Sequence, residues 1–166
     1  IGGYQKLDNV EVIAGCDIDA KRVEATCQEF NIQHAYTKVE QMLKLDDLDA
    51  VSICTPNYDH KVSAVKALKA GKHVYCEKPM AMNAREGAKM VEAAAEAGKQ
   101  LQIGLNNRFQ PGVQYCKGLI ESGELGKPYY GRSQSIRRRG VPSWGVFGQK
   151  KLQGGGPLID IGVHCI

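Results

Sequence analysis

Residues 50–79 read AVSICTPNYDHKVSAVKALKAGKHVYCEKP, and the order of textures within them decides the fold. AVSIC (50–54) is a short, β-branched apolar run, as expected of a strand covered on both faces. Thr55, Pro56 and Asn57 end it. From 59 to 70, Val62, Val65 and Leu68 recur at helical spacing while Lys61, Lys66 and Lys69 take the opposite side, and Gly71 stops the helix. HVYC (73–76) is the next strand. A strand, a helix and a strand in so short a span predict a crossover between parallel strands.

The same alternation extends both ways. Upstream, VEVIAGC (10–16) predicts a strand, and Asp19 is placed to cap a helix whose inner face carries Val23, Cys27 and Phe30. A short strand at 35–37 and a short helix at 39–43 follow. Downstream, Asn83 and Glu86 stand at capping-box spacing for a helix over 83–97, Gly98 follows it, and 101–105 is a further strand. The expected fold is therefore α/β, a doubly wound parallel sheet with helices on both faces. After Pro111 the texture changes to a helix at 113–121, then Gly123, Gly126 and Pro128, then a Tyr- and Arg-rich stretch suited to a strand. A domain boundary is expected within 106–126, dividing the chain into 1–110 and 111–166.

Composition bounds the function classes. The 166 residues carry a net charge of +4, much of it in Arg137-Arg138-Arg139, and few aromatics are interleaved with it, which argues against a nucleic-acid partner. No apolar stretch approaches the roughly 20 residues that span a bilayer. The six cysteines are scattered, with no CxxC pair, which predicts free thiols in a reducing, cytoplasmic setting. No four-ligand set emerges around His73, Cys76, His164 and Cys165, so no metal is expected. The chain begins at Ile1 rather than Met and ends within an apolar pattern, so it reads as a piece of a longer polypeptide.

Chemistry concentrates where strands end. In a doubly wound sheet, the carboxyl ends of the strands open on one crevice, where ligands bind. Asp17, Thr55-Pro56-Asn57, Glu77-Lys78, and Asn106 with Arg108 all follow such ends. Asp17 suits the ribose hydroxyls of a dinucleotide, although an ordinary capping Asp looks the same and no glycine fingerprint precedes it. Thr55, Asn57 and His60 offer hydrogen-bonding groups around a proline-fixed turn, which is equally an ordinary strand-to-helix turn. Lys78 can stabilise charge on an oxygen, or be a solvated surface lysine. Further on, Gly154-Gly155-Gly156 lets backbone approach a ligand, and Pro157 suits the first turn of a helix. On that helix Asp160 and His164, four apart, would share a face as a positioned base and its partner, or as a structural pair.

Together AGKHVYCEKPMA (70–81), CTPNYDH (54–60) and GGGPLIDIGVH (154–164) resemble the Gfo/Idh/MocA oxidoreductases, the glucose–fructose oxidoreductase and inositol dehydrogenase family. The resemblance runs along essentially the whole chain. It implies a Rossmann domain whose first strand and glycine loop precede Ile1, followed by the start of a substrate and oligomerisation domain. It implies hydride transfer between NAD, with NADP left open by Lys21 and Arg22, and a secondary alcohol carbon of a sugar or polyol. His164 would be the base, Asp160 would position substrate hydroxyls, and Lys78 would assist. The cofactor would lie against Asp17, Thr55, Pro56, Asn57, His60, Glu77, Lys78, Asn106 and Arg108, with Trp144 shielding the nicotinamide. The resemblance also implies a cis Lys78–Pro79 bond and, for the full-length protein, a homo-oligomer. Two other readings stay open: an NAD-dependent glycosidase of the same family, and a non-catalytic nucleotide-sensing module.

Overall fold

The computed structural model describes residues 1–136, 139–140, 142–143 and 145–164. Among these residues, five parallel strands form two sheets: β1 (Ala14–Cys16) beside β2 (His34–Tyr36), and β3 (Ala50–Ile53), β4 (His73–Cys76) and β5 (Leu101–Ile103) in that order. Between them run α1 (Ala20–Glu29), α2 (Val39–Met42), α3 (Asn57–Lys69) and α4 (Ala84–Ala97). Beyond the sheet lie α5 (Pro111–Glu121), α6 (Lys150–Gln153) and α7 (Pro157–Asp160). The parallel α/β class read from the sequence is what forms.

Strand alternation explains why helices cover both faces. Ala14 turns toward the main core, whereas a Cβ on its neighbour Gly15 would stand 2.9 Å from Cys27 Sγ of α1. On the main side, Val51 and Ile53 of β3 and Val74 and Cys76 of β4 meet Leu68 and Ala67 of α3 and Met90 and Ala93 of α4. Leu68 and Met90 are wholly buried, each contributing about 1.5–3 kcal/mol of transfer free energy. The local signals act as expected. Asp19 accepts the backbone N–H of Arg22, Asn83 accepts that of Glu86, and Gly98 caps α4 at φ +60°. The Glu86 carboxylate turns back to the Met82 N–H at 3.4 Å, one residue before the cap.

Three expectations change. The first strand pairs only over Ala14–Cys16, because β2 offers three residues and β1 has no other ladder partner among the described residues. The buried face of α3 is Asn57, His60, Ala64, Ala67 and Leu68, while Val62 is 38% exposed. Alanines let α3 close on α4, and the two polar residues find partners inside. The Tyr- and Arg-rich stretch forms no strand over its described residues, where Tyr129 and Tyr130 are exposed, since no neighbouring strand offers it a ladder. Arg137, Arg138 and Trp144 lie outside the described residues.

Candidate active site

The carboxyl ends of the strands carry the loops singled out above, and the segment from α6 onward folds back onto two of them. Asn57, at the start of α3, donates its side-chain amide to the backbone carbonyl of Gln153 at 3.1 Å and to the side-chain oxygen of the same residue. Gly154 ends α6 at φ +83°, close enough that a Cβ there would stand 2.8 Å from the Met82 carbonyl oxygen. Lys78 then reaches across the chain: its Nζ donates to both the carboxylate and the backbone carbonyl of Asp160, each at 2.8 Å. Asn57, Met82 and Lys78 thus form one seat for residues 153–160.

Lys78 and Asp160 are brought together, with side chains only 20% and 23% exposed. The helix expected to carry both Asp160 and His164 does not run through. α7 ends at Asp160, and Gly162–His164 form a separate 3₁₀ turn. Glycine at 162 weakens helix continuation, and the Lys78 ammonium occupies the Asp160 carbonyl. The Asp160 carboxylate therefore faces Lys78, and no ion pair joins it to His164. His164 keeps its Nδ1 buried without a hydrogen-bond partner among the described residues. A buried nitrogen left unpaired costs free energy until something bonds it. The 3₁₀ turn Asn106–Phe109 packs against the His164 turn and leaves Asn106 and Arg108 exposed.

The other expected ligand residues divide in two. Asp17 stands at the end of β1, its carboxylate accepting the Asp19 N–H at 2.9 Å and lying 3.4 Å from Arg22 Nη1. Thr55 and Pro56 are exposed, and Glu77 is half-buried, accepting the Lys78 N–H at 3.3 Å. These groups remain open to a cofactor's hydroxyls and amide, so the crevice fits a dinucleotide on its ribose and nicotinamide sides. The Asn57 amide nitrogen and the His60 ring are engaged within the chain. The Asn57 side-chain N–H groups are both taken by Gln153. His60, 1% exposed, has Nδ1 2.7 Å from the Pro79 carbonyl and Nε2 2.8 Å from the Thr55 carbonyl, so neither ring nitrogen is left for a ligand. In the glycine run, Gly154 makes its close approach to the Met82 backbone. The Lys78–Pro79 bond is cis.

Gln153, 6% exposed, was not legible as part of this site, because a glutamine in a polar stretch carries no periodic signal. Burial, reinforced by Cys54 and Glu77, pushes Cys76 up to about 12, and burial with Asp17 beside it also raises Cys16.

Residues 2–105 match the family model GFO/IDH/MocA, described as an oxidoreductase family with an NAD-binding Rossmann fold, and 113–166 match the GFO/IDH/MocA C-terminal domain. The chain belongs to this oxidoreductase family. Among curated relatives of this GFO/IDH/MocA chain, D-glucoside 3-dehydrogenase of Escherichia coli is 37% identical over 163 residues, covering 98% of this chain and 46% of the relative. Inositol 2-dehydrogenase of Salmonella typhimurium is 34% identical over 140 residues, covering 83% and 42%. Among solved structures, an NAD-binding protein from Listeria innocua superimposes with a TM-score of 0.83 at 32% identity, covering 98% of this chain and 47% of that one. The WlbA dehydrogenase of Bordetella pertussis, solved with NADH and UDP-GlcNAcA, gives 0.73 at 31% identity, covering 76% and 37%. The chain spans under half the length of these relatives. No described helix is long and apolar enough to cross a membrane.

Proposed function

We propose that the polypeptide containing this chain oxidises a secondary alcohol carbon of a sugar or cyclitol, passing hydride to NAD. The observation that carries the reading is the Lys78 ammonium, held 2.8 Å from Asp160 across 82 positions of sequence, on a segment that also presents His164. The names of the relatives, a glucoside and an inositol dehydrogenase, supply the substrate class.

In this mechanism His164 takes the proton of the substrate hydroxyl on its unpaired Nδ1 as the C–H bond breaks. A bound nicotinamide would supply the acceptor for the hydride from the same carbon. Lys78 donates a hydrogen bond to the reacting oxygen as it becomes a carbonyl, and in the reverse direction stabilises the charge that develops there. Asp160 steadies Lys78 and accepts from an adjacent substrate hydroxyl. Asp17 binds the adenosine ribose. Its carboxylate would repel a 2′-phosphate, so NAD is preferred despite Arg22 beside it. Thr55, Pro56, Glu77, Asn106 and Arg108 line the nicotinamide side. Two domains meeting near residue 110, a homo-oligomeric assembly and a reducing cytoplasm belong to the same proposal, the last in keeping with the free thiols.

The test is NADH formation by the intact polypeptide on a panel of D-glucosides and inositols. Lys78→Met and His164→Ala should each lower kcat by about 100- to 10,000-fold while leaving NADH binding close to wild type. Sugar release without net NADH would sink the oxidation reading, and full activity in either variant would sink the assignment of the residues.

A further inference from the structure

We propose that His60 is a positioning residue: its buried ring, hydrogen-bonded on both nitrogens, locks together the two turns that place Lys78 and seat the Asp160 segment. The inference rests on the functional reading above but adds a residue that touches neither cofactor nor substrate.

The argument begins with donors and acceptors. Both partners of the ring are backbone carbonyl oxygens, which only accept. A neutral imidazole carries hydrogen on one nitrogen, so contacts of 2.7 and 2.8 Å at both call for hydrogen on both. The ring is then a cross-link buried beneath the loops, with one carbonyl facing each nitrogen. At 1% exposure it has no water to fall back on, and loss of either bond would strand a buried polar group.

What the ring joins gives it its role. Thr55 belongs to the turn after β3, and two residues on, Asn57 holds Gln153. Pro79 belongs to the turn after β4, directly beyond Lys78, whose ammonium holds Asp160. Each turn therefore grips the returning segment at one point, and the His60 ring sets the distance between the grips. An error of about 1 Å in such a placement costs on the order of 100-fold in rate. No other described side chain bonds both turns.

The experiment uses the intact polypeptide and two readouts. In ¹⁵N-histidine spectra of wild type, both ring nitrogens of His60 should resonate as N–H; one bare nitrogen would overturn the cross-link. His60→Gln, which keeps a single N–H donor group, should lower kcat about 100-fold while KM for NAD and NADH binding stay near wild type. Unchanged kcat, or a KM rise that accounts for the whole loss, would overturn the positioning role. Reductive methylation of Lys78 should quicken several-fold in His60→Gln, with exposed Lys89 as internal control, and an unchanged rate would also overturn it. If wild type forms no NADH, the dehydrogenase reading fails, and the nitrogen spectra and Lys78 methylation still decide the role of His60.

Discussion

Replacing Gly154 by Ala tests the seat of the returning segment at its tightest point. At φ +83° the backbone is left-handed, which costs a residue with a Cβ about 1–2 kcal/mol. The new Cβ would also stand 2.8 Å from the Met82 carbonyl oxygen and 3.0 Å from Met82 Cα. Both atoms are backbone, so no side-chain rotation relieves the contact, and overpacking of this kind adds about 1–3 kcal/mol. The sum, about 2–5 kcal/mol, applies only while residues 150–164 are docked, and corresponds to roughly 30- to 4,000-fold faster amide exchange by local opening. The amides to follow are Gly154, Ile159, Ile161 and His164, each bonded within the segment. Gly71→Ala is the control: φ is +76° there, and nothing lies within 4 Å of a Cβ. It carries the conformational cost alone, and should leave exchange in 150–164 untouched. Wild-type exchange in that segment for Gly154→Ala, with β3–β5 equally protected in both, would refute the reasoning.

Two further outcomes follow from packing and burial. A Cβ on Gly15 would stand 2.9 Å from Cys27 Sγ, so Gly15→Ala should destabilise by about 1–3 kcal/mol in urea titrations. Adding Cys27→Ala should recover about half of that, and strict additivity of the two would count against the close approach. For Cys76, raised from 9.0 to about 12 chiefly by burial, both folded and unfolded chains keep the proton below pH 9. Above pH 9 only the unfolded chain ionises, so stability falls by about 1.4 kcal/mol per pH unit until the folded thiol titrates as well. The stability difference between wild type and Cys76→Ala should therefore shrink by about 2 kcal/mol from pH 8 to 10.5, and parallel curves would contradict the burial.

Much of the fold was legible because its signals are local. Apolar runs bounded by glycine and proline mark β3 and β4, and Asn83 and Gly98 bracket α4 through bonds to their own neighbours. Val62 was misread as a core residue for a related reason. Periodicity counts apolar side chains and overlooks a histidine whose two carbonyl partners, at 55 and 79, make its burial affordable. The helix through Asp160 and His164 failed because spacing alone does not reveal that an ammonium 82 positions away takes the Asp160 carbonyl.

From its residues alone, this chain specified parallel α/β units, the turns that carry Lys78 and Asp17, and membership of a dinucleotide-binding oxidoreductase family. Those properties rest on interactions a few positions long, or on motifs whose residues are adjacent. Only the tertiary structure decided which polar groups are free. Asn57 and His60 look like ligands in a motif, yet packing engages the Asn57 amide nitrogen and both His60 ring nitrogens, and among the described residues His164 keeps an unpaired buried nitrogen. The physical reason is that a hydrogen bond saturates its donor, and which partner arrives first is set by chain segments brought together from nearly a hundred residues apart.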